Sequence, residues 1–319
     1  MVSTLKAPAG PEHVEGQDSM PDSVPGIELG TWQVTEESVL RYTLAVGDTS
    51  DLYLRSRQAP PLALTAWALG AMLKKLDLPA GAIHSVQEMQ TVRGVRFGEQ
   101  VTAFARMGQP RRRGDLEFIT AGYTLKAAGG EEVITGQTTV LVNHGAADTS
   151  SQREPSATQT AKQDNPPVST ESAIPTVERT ITQDQLTAYS QASGDHNPLH
   201  LDPAFAATTQ FGRIIAHGML TLALVSEAMG RAYGKAWLES GALKIRFKGA
   251  AYLGDRLYTE CHHSKEQVVD RGIREVCAVG VLERESGREL VSGSASVMIG
   301  GENEPNENAG RYNDRMRGF

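Results

Sequence analysis

The residues best suited to chemistry lie in one stretch, YSQASGDHNPLHLDPAFAATTQFGRIIAHGML, at positions 189–220. Within it, Asp195 follows a Ser-Gly pair, and His200 follows five residues later, just after an Asn-Pro-Leu run. On a continuous helix this spacing would not place the two side chains on one face. A turn would let them converge, and Gly194 and Pro198 favour a turn. A carboxylate and an imidazole that converge on one water molecule can take a proton from it and deliver a proton to carbon.

A second element, AHGM at 216–219, stands just before a long apolar run that reads as a helix. The first backbone N–H groups of a helix have no partner within the helix and carry partial positive charge. They could stabilise a thioester carbonyl as it gains negative charge, and Gly218 would let the backbone approach that oxygen closely. The stretch therefore predicts addition of water to, or its removal from, a thioester-linked acyl group.

This stretch resembles the signature of the MaoC-like family, also called hydratase 2 or R-specific enoyl-CoA hydratase. The matching positions are Tyr189, Ser193, Gly194, Asp195, Asn197, Pro198, Leu199, His200, Asp202, Pro203, Phe211, Ala216, His217, Gly218 and Met219. The resemblance covers residues 175–300 well and residues 27–145 weakly. It implies a hotdog fold, in which an antiparallel sheet wraps a long central helix, and reversible syn hydration of a trans-2-enoyl-CoA to an (R)-3-hydroxyacyl-CoA.

The resemblance also implies a role for four residues: Asp195 and His200 as the catalytic pair, the Gly218 N–H as the oxyanion donor, and Asn197 as a substrate-positioning residue. His217 and Tyr189 are two further candidates for positioning the substrate.

Simpler structural roles stay open for several residues in this stretch. His217 could be a hydrogen-bonding loop residue, and Tyr189 could pack on its own helix. His196 is expected to point away from Asp195 into solvent. Asp202 is expected to cap the helix PAFAA, because the following proline fits the first helical position.

Three basic residues, Lys244, Arg246 and Lys248, alternate along a predicted strand and so project on one face. They could contact the phosphates of coenzyme A or form a solvated strand face, and the pattern leaves both open. The run Arg111–Arg113 lies between predicted strands and is expected to be a solvated loop in preference to a phosphate clamp.

The two halves of the chain resemble each other, which predicts a duplicated domain. VTEESVLRYTLAVGD in the first half matches ITQDQLTAYSQASGD in the second, and RFGEQV and TGQTTVLV match YLGDRL and SGSASVMI in the same order. Each half has a short helix (36–46 and 183–192), an apolar helix (60–76 and 217–233) and then runs that read as strands. These runs are 93–107, 116–128 and 133–142, then 242–264, 275–284 and 289–299. An apolar helix followed by antiparallel strands predicts an α+β class, here a double hotdog fold.

The first half departs from the catalytic pattern. Tyr53 stands where the second half has His200, and Pro60-Pro61 stand at the predicted oxyanion site, where proline supplies no N–H. Asp48 remains and could be structural. We therefore expect one active site per chain, with the degenerate half shaping the acyl and CoA pocket.

The remaining stretches are polar and rich in Pro, Ser, Thr and Gly, which predicts disorder. The expected domains are a disordered N-terminus (1–26), a degenerate hotdog domain (27–145), a flexible linker (146–174), the catalytic domain (175–300) and a disordered tail (301–319). The two hotdog domains would form a pseudo-dimer within the chain, and a further homodimer is possible.

Composition limits the classes of partner. The chain has 319 residues, 39% hydrophobic and 22% charged, with a formal net charge of −7, which disfavours nucleic acid and anionic membranes. No apolar run approaches the ~20 residues of a membrane helix, and no secretory signal is visible. Cys261 and Cys277 lack metal-ligand spacing, so no metal site is expected, and a reducing cytoplasm fits best. No nicotinamide or flavin is expected either, because no dinucleotide or P-loop motif is present.

Other functions stay open at this point. The chain could be a dehydratase acting on an acyl-carrier protein or a dicarboxylyl-CoA, a thioesterase on the same fold, or a non-catalytic acyl-CoA binding protein. Chain length, branching, pathway and physiological direction do not follow from the sequence.

Overall fold

A computed structural model describes residues 26–75, 81–144, 174–270 and 272–300 of the chain. The predicted disordered N-terminus up to residue 25, the linker at 146–173 and the tail at 301–319 lie outside the described residues. The predicted domain boundaries and a homodimer stay predictions. Among the described helices, none is both long enough and apolar enough to cross a membrane.

The N-terminal half begins with a strand, continues with three helices and ends with five strands. These are β1 (Ile27–Gln33), α1 (Glu36–Val46), α2 (Leu52–Ser56), α3 (Pro61–Lys75), β2 (Ile83–Thr91), β3 (Gln100–Met107), β4 (Arg111–Arg113), β5 (Leu116–Ala127) and β6 (Glu132–Asn143).

The C-terminal half repeats this plan. Its elements are β7 (Glu178–Thr180), α4 (Gln183–Ser193), a 3₁₀ turn (Pro198–His200), α5 (Pro203–Ala207), α6 (Gly218–Tyr233), α7 (Lys235–Ser240), β8 (Ala242–Phe247), β9 (Arg256–Val269), β10 (Gly272–Glu283) and β11 (Glu289–Ile299).

In the described part of the chain, the strands form one eleven-stranded sheet in the order β1-β3-β5-β6-β2-β8-β11-β10-β9-β7, with β4 paired to β5. The two halves join where β2 and β8 pair antiparallel, from Val86 opposite Arg246 to Gln90 opposite Ala242. The two halves therefore associate within one chain through a continuous sheet.

The two apolar helices lie on the inner face of this sheet. In α6, every residue from Met219 to Gly230 is buried, and in α3 every residue from Pro61 to Gly70 is buried. Each large apolar side chain buried in this way stabilises the fold by about 1.5–3 kcal/mol. The predicted central helices are confirmed, since each is buried along most of its length.

The same caps mark the first helix of each half. Thr35 caps α1 and Thr182 caps α4, each accepting a hydrogen bond from a backbone N–H three residues on. Both helices end at a glycine in the left-handed region, Gly47 with φ 74° and Gly194 with φ 79°. This shared local chemistry explains why both short helices were predictable from the sequence.

Some strand predictions are wrong in detail. The run at 93–107 is a loop until β3 begins at Gln100, and the run at 242–264 contains two strands separated by a turn. The prediction of a solvated loop at Arg111–Arg113 is wrong, since these residues form exposed strand β4 against β5. Three consecutive charged, exposed side chains give no alternating pattern, so the sequence did not indicate a strand.

Gly70 in α3 lets the loop that follows α4 lie directly on that helix. A Cβ atom at Gly70 would stand 2.2 Å from the Ser193 carbonyl oxygen and 3.0 Å from the Gly194 carbonyl carbon. Only glycine permits this approach, and the loop held there carries Asp195.

We expect Gly70→Ala to destabilise the protein by about 1–3 kcal/mol, as overpacking typically does, because the added methyl group meets backbone that cannot move aside. Urea unfolding followed by circular dichroism measures the loss. Gly129→Ala is the matched control, since its new methyl group would meet nothing within 4 Å. Equal stabilities for the two variants would contradict the close contact.

Candidate active site

Asp195 is placed by the end of α4 and by a tight turn after it. Gly194 closes the helix, and its N–H donates to the Ser190 carbonyl at 2.9 Å. Ser193 Oγ accepts from the Asp195 N–H at 3.2 Å. The Asp195 carboxylate in turn accepts from the Asn197 N–H at 3.2 Å, the side-chain-to-backbone bond that stabilises an Asx turn. The carboxylate is thereby held partly buried.

Asn197 braces the next step of the same turn. Its Oδ1 accepts from the Leu199 N–H at 3.1 Å, and its Nδ2 donates to the Ala82 carbonyl at 3.4 Å. These bonds start the 3₁₀ turn that carries His200 and tie it to the N-terminal half. The contacts fit a residue that positions the catalytic pair, and direct contact of Asn197 with substrate stays a prediction.

His200 is 7% exposed and is anchored by one ring nitrogen. Its Nδ1 lies 2.8 Å from the Ile215 carbonyl. Because a carbonyl oxygen only accepts, Nδ1 carries the proton, and in the neutral ring Nε2 keeps its lone pair. Ile215 is itself held in place by a bridge to Tyr252.

His217 lies directly against His200. The two ring centroids are 3.9 Å apart, and His217 Nε2 donates to the Asp195 carbonyl at 3.2 Å. Among the described residues, no partner contacts the buried Nδ1 of His217. Its loop hydrogen-bonding role is thus visible in the structure, while its contact with substrate stays a prediction.

The predicted side chains converge. Asp195, His200 and His217 each offer one oxygen or nitrogen atom, and these atoms lie within 4.8 Å of one another. A single water molecule can therefore reach both the carboxylate and the imidazole at ordinary hydrogen-bond lengths. The turn between Asp195 and His200 brings them together, as the sequence predicted.

Burial keeps both imidazoles neutral. It lowers the pKa of His200 below the ordinary value of 6.5, although the nearby Asp195 charge and the Ile215 hydrogen bond oppose this. Burial and the His200 ring together hold the pKa of His217 well below its usual range. A neutral His200 has its Nε2 lone pair available as a base.

Helix α6 begins at Gly218, beside this group. The side chain of His217, the N-cap residue, forms no hydrogen bond with the first N–H groups of α6. The space beside the Gly218 Cα is closed by two rings, since an added Cβ would lie 3.2 Å from the Phe247 ring and 3.4 Å from His84 Cβ. The predicted helix start is confirmed, and the oxyanion role of Gly218 stays a prediction.

Sequence reasoning missed His84 and Phe247. Phe247 ends β8 on the inner face, and the only sequence signal for it was its alternation with Lys244 and Arg246. His84 comes from the N-terminal half, in a strand whose polar sequence, IHSVQEMQT, gives no clear strand pattern.

Tyr189 is fully buried, and its ring packs against the ring of His217. Its ring centroid lies 4.8 Å from that of His217 and 6.2 Å from that of Tyr42. The ring thus packs against residues outside its own helix, and substrate contact stays a prediction. His196 is exposed and bonded through Nδ1 to Ser190 Oγ at 2.7 Å. Asp202 caps α5, accepting from the N–H groups of Ala204 and Phe205, as predicted.

The three basic residues proposed for CoA are exposed and lie apart from the catalytic group. Lys244 and Arg246 project from the outer face of β8, and Lys244 Nζ lies 3.2 Å from Glu88. Lys248 follows the strand and contacts Glu289 at 2.6 Å. A groove of about 430 Å³ on the outer face includes Lys244 together with Lys265 and Arg274. The CoA role of these residues stays a prediction.

In the N-terminal half, Asp48 and Tyr53 stand at the positions that correspond to Asp195 and His200, and they bond to each other. Tyr53 donates its hydroxyl to Asp48 at 2.6 Å, and Asp48 also accepts from the Ser50 N–H at 2.9 Å. Burial and Asp48 raise the pKa of Tyr53 well above its ordinary 10. Helix α3 begins at Pro61. Asp48 is therefore a buried turn acceptor, and this place offers no imidazole base, while Pro61 supplies no N–H at the first helical position.

Two groups of side chains have donor atoms close enough to hold a metal ion in the described residues. One is the triad of Asp195, His200 and His217, and the other is His263, Glu266 and Glu275 on the β9–β10 hairpin. In the first, carbonyl groups already occupy one nitrogen of each histidine. The expectation that no metal is needed stays a prediction.

Comparison with known proteins places this site in a family context. Residues 166–284 match the family described as MaoC like domain. The (R)-specific enoyl-CoA hydratase of Aeromonas caviae is 44% identical over 77 residues, which is 24% of this chain and 57% of that protein. The peroxisomal hydratase-dehydrogenase-epimerase of Neurospora crassa is 30% identical over 188 residues, 58% of this chain and 19% of that protein. The chain thus spans 57% or less of the length of these curated relatives.

The fold is shared more widely. A Mycobacterium tuberculosis protein described as having a double hotdog fold superposes with a TM-score of 0.60 at 14% identity, over 87% of this chain and 97% of that one. The likeness covers both halves, so the predicted double hotdog fold is confirmed.

We expect the free energy of unfolding to fall as the pH drops below about 6.5, the ordinary histidine value. Burial lowers the pKa of His84 to about 4 and also lowers those of His200 and His217. Below pH 6.5 the unfolded chain therefore binds protons that the folded chain does not. Each histidine contributes about 1.4 kcal/mol per pH unit until the folded pKa is reached.

Urea unfolding at several pH values measures this slope. His84→Gln should remove about a third of the histidine contribution, whereas His262→Gln, at an exposed position, should leave the slope unchanged. A slope that is the same in wild type and in His84→Gln would contradict the neutral buried state.

Proposed function

Because residues 166–284 match the family described as MaoC like domain, we propose that the chain is a hydro-lyase. It reversibly hydrates a trans-2-enoyl-CoA to an (R)-3-hydroxyacyl-CoA. The observation that carries the proposal is the convergence of the Asp195 carboxylate and a ring nitrogen of His200 within 4.8 Å, together with the Nδ1–Ile215 hydrogen bond that leaves Nε2 unprotonated in the neutral ring. A carboxylate and a neutral imidazole at this separation suit shared proton transfer with one water molecule.

Water is activated first. His200 Nε2 accepts one proton of the water while the Asp195 carboxylate accepts a hydrogen bond from the other. The oxygen then adds to the β-carbon of the conjugated alkene. The charged imidazolium that forms is stabilised by Asp195, whose charge favours protonation of His200.

The electron pair of the alkene moves onto the thioester oxygen as the new C–O bond forms. The N–H at Gly218 and the positive end of α6 stabilise this enolate-like oxygen. The imidazolium then returns its proton to the α-carbon, so that one water has been added and the side chains regain their starting state. The mechanism needs no metal, nicotinamide or flavin, because the thioester itself makes the β-carbon electrophilic.

The choice of carrier and of stereochemistry comes from the relatives. The Aeromonas caviae protein is named for an R-specific reaction on CoA thioesters, and the Asp195–His200 segment lies inside the region that matches the family. An acyl-carrier protein thioester is the rival substrate, and parallel assays of the two carriers decide between them. The Neurospora crassa relative is named peroxisomal, so a cytoplasmic location is not part of the proposal.

We expect His200→Ala and Asp195→Asn each to lower kcat by at least ~10²-fold, the lower end for loss of a positioned proton-transfer group. The measurement follows the loss of the conjugated thioester absorbance with a panel of trans-2-enoyl-CoA substrates. A thiol dye in the same assay detects release of free CoA.

His196→Ala is the matched control for this pair, because His196 lies in the same turn but is exposed. Full turnover in either catalytic variant would contradict the assignment. Release of thiol without hydration would instead indicate a thioesterase, and binding of acyl-CoA with neither reaction would indicate a binding protein.

We expect Tyr53→Phe to leave kcat unchanged within about twofold, because the N-terminal place has no imidazole base and its helix begins with a proline that supplies no N–H. The variant should lower stability by about 0.5–1.5 kcal/mol, the net value of one hydrogen bond, or more because the charged Asp48 loses a partner. Steady-state kinetics and thermal unfolding together test this. A large loss of turnover would show that the N-terminal half takes part in the chemistry.

A further inference from the structure

Strand β2 carries a one-residue irregularity next to the candidate active site. Its pairing with β6 shifts between His84 and Val86, so that Ser85 is an extra residue. Further along the strand, Gln87, Met89 and Thr91 are buried on the inner face. Strict alternation from these positions would turn His84 outward, and the extra residue turns it inward instead.

The inward His84 ring meets the C-terminal half at its catalytic end. Its centroid lies 4.5 Å from that of Phe247. A Cβ added at Gly218 would come within 3.4 Å of His84 Cβ and within 3.2 Å of the Phe247 ring. The two rings, one from each half, therefore form a wall beside the start of α6.

Three further contacts hold this wall in place. Thr138 Oγ1 lies 2.8 Å from His84 Nε2, and Ser85 Oγ donates to the Thr139 carbonyl at 3.1 Å. Two residues before His84, the Ala82 carbonyl accepts from Asn197 Nδ2 at 3.4 Å. The bulge, the imidazole and the catalytic turn are thus fastened to one another across the boundary between the halves.

The position of the wall determines which part of a substrate it would touch. A thioester oxygen bound at the Gly218 N–H would put the carbonyl carbon one bond further out. The sulfur and the α-carbon, which are bonded to that carbon, would then lie beside the His84 and Phe247 rings. A substituent on the α-carbon would need the space that these rings occupy.

We propose that His84, supplied by the N-terminal half, is a specificity-determining residue of the C-terminal site. Its side chain closes the space beside Gly218 and excludes enoyl thioesters with a branched α-carbon. This inference rests on the proposed hydration activity. In this proposal the N-terminal half, which has no catalytic pair of its own, supplies one of the two rings that contact the substrate.

The test compares kcat/KM for two substrates that differ by one α-methyl group, but-2-enoyl-CoA and 2-methylbut-2-enoyl-CoA. We expect His84→Ala to raise the branched-to-unbranched ratio by at least about 10-fold, since one methyl group in a pocket is worth about 10–200-fold. His84→Phe, which keeps a ring, should stay within about threefold of the wild-type ratio.

Two further variants keep the test decisive. Phe247→Leu trims the other ring of the same wall and should raise the ratio in the same direction, which covers the case in which His84→Ala fails to fold. His144→Ala, an exposed histidine on the same half, should leave the ratio unchanged. Thermal unfolding of each variant confirms that the folded protein is being assayed.

An unchanged ratio in folded His84→Ala or Phe247→Leu would overturn the inference, as would an equal rise in His84→Phe. Failure of the proposed function is distinguishable, because the wild-type protein would then hydrate neither but-2-enoyl-CoA nor longer unbranched substrates.

Discussion

The hydrogen bond from His200 Nδ1 to the Ile215 carbonyl is the contact on which the chemistry depends. It fixes the proton on Nδ1 and leaves the lone pair of Nε2 free in the neutral ring. The carbonyl is rigid because Ala216 N–H donates to Ala251 and Ile215 bridges to Tyr252. A base must also be unprotonated, and burial meets this requirement because it lowers the pKa of His200 and keeps the ring neutral. Geometry and protonation state are thus set by the same short segment.

The two halves show how one fold can hold a reactive site and an inert one. At corresponding places, the C-terminal half has a carboxylate facing an imidazole, and the N-terminal half has Asp48 bonded to Tyr53. A phenol with a raised pKa is a hydrogen-bond donor and not a base near neutral pH. The N-terminal half still contributes to the working site, because Ala82 and His84 contact Asn197 and Phe247. The N-terminal half lacks the catalytic pair and instead contributes contacts to the site of the C-terminal half.

Local sequence signals predicted what local chemistry determines. The short helices α1 and α4 and the apolar central helices each depend on a few neighbouring residues, and the sequence predicted all of them. The turn that brings Asp195 and His200 together was predictable for the same reason. The wall formed by His84 and Phe247 was not, because it depends on a bulge in β2 and on pairing between distant strands. The exposed strand Arg111–Arg113 was missed because charged side chains give no alternating pattern.

The ¹⁵N NMR spectrum of the histidine side chains, with His200 assigned by comparison with His200→Gln, tests the central claim most directly. At neutral pH we expect the two His200 nitrogen shifts of a neutral ring, with the proton on Nδ1 and an unprotonated Nε2. A ring protonated on Nε2, or a doubly protonated ring, would leave Nε2 without a lone pair to accept a proton from water. Either result would contradict the assignment of His200 as the base.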